Sequence, residues 1–281
     1  MRPSIVILLT FLMSAAIGMV SCSGQKTNTA SADTAADSTA ATADADSLSA
    51  DEEAADMPKA ADELFDDFIF NFSANKKLQL ERIQFPLPSV NGQRTETIEK
   101  QQWQMDYFFM RQGYYTMLLD SEKSINMTND TTVNSVILEK IYFNTTSVIQ
   151  YFFERQHGLW MLTRINTIPF SQSSNASFLP FFHQFATDPE FQTASLNETV
   201  TFVGPDPDDD FSQMEGLITP DTWEAFAPTL PQKMIYNIIY GKPGKEGSQK
   251  VFLLRGIANG LELNMVFRRI DGQWKLTKLT T

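Results

Sequence analysis

The sequence predicts an α+β fold written twice, each copy an N-terminal helix or helices packed on a curved antiparallel sheet. Three observations predict it. Phe153-Glu-Arg155-Gln-His157-Gly158-Leu-Trp160-Met-Leu162-Thr163 returns as Phe267-Arg-Arg269-Ile-Asp271-Gly272-Gln-Trp274-Lys-Leu276-Thr277, at a constant offset of 114 residues (153 to 267, 158 to 272, 160 to 274). Each copy alternates apolar and polar side chains, breaks at a Gly-containing pair and resumes, which is the pattern of a tight β-hairpin. Next, Phe65, Phe68 and Phe72 mark one face of a helix over residues 62–79, and Phe178, Phe181 and Phe185 repeat it 113 residues later. Finally, the remainder of each copy consists of alternating apolar runs bounded by Gly, Asn and Asp. A repeat of this length suits a small domain and is too long for a solenoid unit. The expected domains are therefore 61–170 and 171–281.

Within each copy the elements follow in one order. Behind the opening helix, Asn75 matches Asp188, Leu78 matches Phe191 and Gln79 matches Gln192 without a gap. A short alternating run comes next, Arg82-Ile-Gln-Phe85-Pro86-Leu87 in one copy and Thr199-Val-Thr-Phe202-Val203 in the other. Pro86 inside such a run implies an edge strand, because proline cannot donate to a ladder. Pro/Gly/Asp-rich stretches at 88–94 and 204–216 read as loops, each followed by a tryptophan, Trp103 and Trp223. Thr219-Pro220-Asp221 reads as an N-cap with proline at the first helical position. A meander of about four strands closes each copy: 114–119, 136–143 and 148–153, then 160–165, and 234–240, 251–256 and 261–267, then 274–279. Asn259-Gly260 signals a type I′ turn.

The N-terminus predicts an address. Arg2 precedes an uncharged apolar run from Ile5 to Val20, too short and wrongly flanked for a spanning helix, so residues 1–21 read as a signal peptide. Met19-Val20-Ser21-Cys22 resembles a bacterial lipobox, with Met19 where Leu is commoner. That resemblance implies cleavage before Cys22 and a diacylglycerol on its sulfur, each buried methylene worth about 0.8 kcal/mol. The alternative is a soluble exported protein in which Cys22 is incidental. Cys22 is the only cysteine, so no disulfide forms within the chain. Residues 22–60 are Ala, Ser, Thr and Asp with eight acids against Lys26 and Lys59, a net of −6. Such a composition predicts a disordered, self-repelling tether. Asp33-Thr34-Ala35, Asp37-Ser38-Thr39 and Asp46-Ser47-Leu48 resemble Bacteroidetes-type O-glycosylation acceptors. The expected partner is thus a membrane, reached through the lipid on Cys22, in a bacterial envelope; of inner and outer membrane, the outer is favoured. With a net charge of −12 and no Lys/Arg cluster, nucleic acid is excluded as a partner.

Opening helices and a curved sheet ending in Phe-x-Arg-x-x-Gly-x-Trp-x-Leu-Thr resemble the nuclear transport factor 2-like superfamily of cystatin-like cone folds. Two such copies in a lipoprotein of this length resemble an uncharacterised family of Bacteroidetes lipoproteins. The superfamily contains isomerases, dehydratases and cyclases, and also non-catalytic binding modules, so the resemblance leaves function open. Its enzymes place an Asp/His or Asp/Tyr set inside the cone.

The chain has two histidines. His157 occupies the hairpin turn where the second copy has Asp271, and reads as a turn residue. His183 lies near the end of the Phe face of its helix, where a half-buried histidine is the plainer reading than a pocket ligand. Arg155 and Arg269 recur at equivalent hairpin positions and read as structural, each expected to pair with a buried acid; Trp160 and Trp274 read as core anchors. Asp206-Pro207-Asp208-Asp209-Asp210 offers carboxylates suited to Ca²⁺, but Phe211 stands where an EF-hand needs Gly and Leu217 where it needs Glu. A solvated loop is expected there, and no metal or cofactor. No catalytic residue is assigned. The candidate ligand-binding residues are Trp103, Tyr107, His183 and Trp223; Asp106 with Tyr107 or His183 is the alternative, an acid/base pair in one cone. The expected function is a non-catalytic module for a small ligand, glycan or protein.

Overall fold

The computed structural model describes residues 62–206 and 208–281. The expected signal peptide, Cys22 and the whole acidic segment 22–60 lie outside the described residues.

Each opening helix is two helices. α1 (Phe65–Ala74) stops at Asn75, whose backbone is extended (φ −124°, ψ 110°), and α2 (Lys76–Arg82) starts there because the Asn75 side chain accepts from Leu78 N. An asparagine that competes for local backbone donors ends one helix and caps the next. In the second copy Asp188 does the same between α3 (Phe178–Thr187) and α4 (Pro189–Ala194), with Pro189 at the first helical position. The single helix expected over 62–79 is corrected accordingly.

Strands β1 (Leu87–Asn91), β2 (Arg94–Ile98), β3 (Tyr114–Leu119), β4 (Ser135–Tyr142), β5 (Ser147–Gln156) and β6 (Leu159–Pro169) come from the first copy. The second contributes β7 (Leu196–Asp206), β8 (Asp209–Ile218), β9 (Met234–Tyr240), β10 (Gln249–Gly256), β11 (Glu262–Ile270) and β12 (Gln273–Thr280). Both repeated hairpins are two-residue turns, with positive φ at His157 (52°) and Gly158 (82°) and at Asp271 (51°) and Gly272 (80°). Positive φ at both central residues is what a type I′ turn requires.

Three expectations give way. Residues 88–94 and 204–216 are hairpins, β1–β2 and β7–β8, rather than loops. β2 is exposed along most of its length, so no apolar alternation marks it. Pro86 precedes β1 and stands outside its ladders, and β1 lies inside its sheet between β2 and β6; Pro88 within it faces Thr97 of β2, and the pairing with β6 begins only at Ser89. Asn259-Gly260 lies in a longer loop closed by Gly256 N donating to Leu261 O, with positive φ at Ala258 and Gly260.

The larger correction concerns the meanders. The two six-stranded sheets have the orders β2-β1-β6-β5-β4-β9 and β8-β7-β12-β11-β10-β3. The first sheet takes β9 from the second copy, and the second sheet takes β3 from the first. The exchange is symmetric: Tyr115 pairs with Arg255 and Ile235 with Ile141, related by the same offsets of 120 and 114 that relate the copies. β3 and β9 lie against each other, where the Thr116 hydroxyl donates to Tyr236 O and Leu118 N donates to Asn237 Oδ1 at 2.7 Å.

Each cone is closed by its helix pair, and its interior is aromatic. Phe65 meets Trp160 edge-on at 5.2 Å and Phe72 meets Phe153 at 5.4 Å. Their counterparts Phe178–Trp274 and Phe185–Phe267 stand at 5.3 and 5.2 Å. Edge-to-face pairs at such distances each add about 0.5–1.5 kcal/mol beyond area burial. The repeated Phe, Trp and Leu are therefore core, as expected. Arg155 and Arg269 lie over Trp160 and Trp274 at 4.8 and 4.9 Å. Arg155 donates to the carbonyls of Asp62 (2.7 Å) and Glu63 (2.6 Å) instead of to a buried acid, so it ties the hairpin to the start of α1. Arg269 bonds the Ser177 hydroxyl and approaches Glu246 at 3.5 Å.

Candidate functional site

The copies share their packing, so a site is best sought where they differ. One difference dominates. Residue Gln79 on α2 is fully buried and its amide makes four hydrogen bonds. Nε2 donates to Phe72 O (2.8 Å) and Asp106 O (2.7 Å), and Oε1 accepts from Trp103 Nε1 (3.0 Å) and Asp106 N (3.1 Å). An amide has two donors and two acceptor lone pairs, and here all are used. The clamp fixes the backbone of Asp106 and aims its carboxylate at the sheet. There Oδ2 accepts from Lys140 Nζ on β4 (2.5 Å) and the Tyr151 hydroxyl on β5 (3.1 Å), while Oδ1 accepts from Phe108 N (2.8 Å). The ammonium is walled by the rings of Phe108, Tyr151 and Tyr236, at 5.1, 5.3 and 6.0 Å. Cations over aromatic faces in a desolvated setting gain about 2 kcal/mol.

Tyr236 belongs to the exchanged strand β9 and pairs directly with Lys140, so the cluster needs both halves of the chain. Burial and the Asp106 carboxylate push the Tyr151 and Tyr236 phenols well above their ordinary range, which keeps both protonated, Tyr151 as a donor to Asp106. Phe108 holds φ at 45°, a costly conformation for a bulky residue, and its N–H bond to Asp106 maintains it. In the second cone the corresponding positions carry Phe226 for Asp106, Leu254 for Lys140, Met265 for Tyr151 and Thr116 for Tyr236. Gln192 keeps only two of the bonds, to Phe185 O (3.0 Å) and from Trp223 Nε1 (2.8 Å). The polar cluster is thus peculiar to the first cone.

Beside the cluster lies a cavity of about 450 Å³, lined by Gln104, Asp106, Tyr107, Arg111, Gln112 and Tyr236 among others. Tyr107 is 38% exposed, and the Arg111 guanidinium stacks on its ring at 3.9 Å. Gln112 also lines this cavity, and its Oε1 is buried without a partner.

Of the candidates from sequence, Tyr107 lines this cavity and Trp103 lies beneath it as a partner of Gln79. Trp223 is 2% exposed and floors a separate trough of about 1050 Å³ under α4, rimmed by Glu190, Glu198 and Glu224. In the first copy that space is narrowed by Phe85, edge-on to Trp103 at 6.5 Å, where the second copy has Glu198. His183 is half-buried on α3 in the second cone, stacked on Phe143 at 5.0 Å with rings 4° from parallel. The structure therefore joins Tyr107 to Asp106, and neither to His183. Sequence reasoning missed Gln79, Lys140, Tyr151 and Tyr236. A signal for Lys140 existed: a lysine inside a strand whose other copy has Leu254. Among the described residues no three His, Cys, Asp or Glu side chains converge as a metal would need, and Asp206 instead accepts from Asp208 N within its turn (2.9 Å).

Helix pairs closing aromatic-filled cones of curved sheet define an NTF2-like α+β protein. The solved structure of an NTF2-like protein from Bacteroides fragilis matches with 41% identity and a TM-score of 0.73, over 80% of this chain and 98% of that one. Residues 44–281 match the model of a family described as a domain of unknown function, DUF4348, and the chain belongs to that family. No curated protein matches.

Proposed function

We propose that the protein is a bacterial envelope lipoprotein, held to a membrane through lipid on Cys22, whose first cone binds a small polar ligand of the glycan type without transforming it. The observation that carries this reading is the closed polar cluster at one cone mouth beside an open cavity. Both oxygens of the Asp106 carboxylate are already engaged, and the neighbouring phenols stay protonated, so the group suits holding a ligand better than moving its protons. Exposed Tyr107, the Arg111 guanidinium and the side-chain amides of Gln104 and Gln112 form a set that stacks on a sugar ring and bonds its hydroxyls. Acid–base chemistry by Asp106 with Tyr107 or His183 is the weaker alternative, since His183 lies in the other cone.

Titration calorimetry of the protein against envelope oligosaccharides tests the binding reading. One of them is expected to bind, and Tyr107→Ala and Gln112→Ala are each expected to weaken it about tenfold, the effect of roughly 1.4 kcal/mol. Failure of every oligosaccharide to bind, or binding indifferent to both substitutions, removes the proposal. The anchor is tested separately. Cys22→Ala is expected to shift the protein from membrane to soluble fractions, and unchanged partitioning would sink that part.

A further inference from the structure

We infer that the back of the first sheet, away from the cone, carries a second binding site, for an amphipathic carboxylate: one carboxylate on an apolar body. The two exchanged strands are continued by connections of unequal length. After β3 the chain takes the fifteen residues 120–134 to reach β4, whereas after β9 it takes the eight residues 241–248 to reach β10. The longer connection forms a 3-10 helix, Glu122–Asn129, which lies against β3 at the edge of the second sheet. Its Glu122 carboxylate accepts from Lys278 Nζ on β12 at 2.8 Å. Its Ile125 and Met127 pack on the core cluster of the first cone, to which Val251, Leu253 and Val266 of the second sheet also belong.

At the offset of 114, the first-sheet counterparts of Lys278, Val251 and Val266 are Arg164, Ile137 and Phe152. The shorter connection leaves them under a cavity of about 420 Å³, within the usual range for small-molecule pockets. Arg164 stacks on Phe152 at 3.9 Å and, among the described residues, has no carboxylate partner. Lys242 adds a second cation to the lining against one acid, Glu154, so the lining carries a net charge of +1. The second half of the chain thus displays what this position accepts: a carboxylate on the cation and apolar groups on the strands. In the first half the chain supplies neither. The cone-mouth cavity shares none of these residues.

Dodecanoate is the probe, titrated calorimetrically into the full chain carrying Cys22→Ser so that no lipid on the protein competes. One-to-one binding is expected, about tenfold tighter than that of uncharged dodecanol. Arg164→Ala should bring dodecanoate down to the dodecanol level, Ser174→Trp at the rim should block both, and Tyr107→Ala at the cone mouth should change neither. Equal binding of the two probes, no binding, or binding indifferent to both Arg164→Ala and Ser174→Trp overturns the inference. So does a result in which a peptide of residues 33–56 binds and dodecanoate does not, which would assign the cavity to the chain's own acidic segment. Circular dichroism of each variant separates lost binding from lost fold.

Discussion

Glu139 on β4 is fully buried, and its carboxylate accepts from Asn237 Nδ2 and Gln150 Nε2, both at 2.8 Å. Asn237 is held in that orientation because its Oδ1 accepts from Leu118 N. The row therefore crosses from one sheet to the exchanged strand of the other, and uniqueness of pairing is its physical use. Burial raises the Glu139 carboxyl above its ordinary value of 4.5, with the two amides and the Lys250 charge pulling the other way. As pH rises through the unfolded value, the unfolded chain releases this proton first, so stability falls from near pH 4.5 until the folded group also ionises. Glu139→Gln removes that dependence; Gln150 can turn its amide to meet the new one. Its stability relative to the parent should rise as the pH is raised above about 4.5 in urea melts, and a constant difference would contradict the linkage. Glu139→Leu leaves the buried Asn237 amide and the half-buried Gln150 amide without their acceptor and should cost about 3 kcal/mol.

The repeated hairpins show how much an element depends on two residues. Gly158 and Gly272 sit at φ near 80° with open space around them, so conformation rather than crowding selects glycine there. The preceding position needs positive φ as well, and His157 meets it less readily than Asn or Asp, the residues usual in such turns. His157→Asn should stabilise the protein by about 0.5–1 kcal/mol, read as a rise in urea midpoint with unchanged slope. A decrease would mean that the imidazole has a role beyond the turn. At the helical elements the same economy holds. Asn75 and Asp188 each end one helix and cap the next, which sets the bend of both helix pairs over their cones.

At the scale of the molecule, exchange of β3 and β9 makes the halves interdependent. β9 carries Tyr236 to the cone-mouth cluster, Ile238 to the first core, and Tyr240 to Asp66 on α1, whose carboxylate its hydroxyl bonds. Residues 61–170 expressed alone would expose the β4 edge and leave the half-buried Asp66 without its Tyr240 donor. Each half alone is therefore expected to show no cooperative melt. The two co-expressed should assemble and restore a single transition, since the missing strand is then available in trans. Independent cooperative melting of either half would show that the exchange is dispensable. Of the roles assigned from sequence, Tyr107 belongs to this composite site, whereas His183 belongs to the opposite cone, a separation that only the path of the chain sets.

Local chemistry was legible in the residues. The hairpins, the Phe faces, the duplication and the α+β layering are all periodic, and periodicity records which side of an element meets water. The β1–β2 and β7–β8 hairpins were not, because in each the second strand carries no such record: β2 is exposed along most of its length, and Gln213, Met214, Glu215 and Leu217 of β8 are exposed. Gln79, Lys140 and Tyr151 were not either: each is an ordinary polar residue until the fold brings it to Asp106, 27, 34 and 45 residues away. The sequence by itself determined that two like units would form. Which unit each of β3 and β9 would complete was decided only by the tertiary structure. Their equivalent edges offer the same ladder, and the choice rests on long-range contacts such as Tyr240 with Asp66 and Leu118 with Asn237.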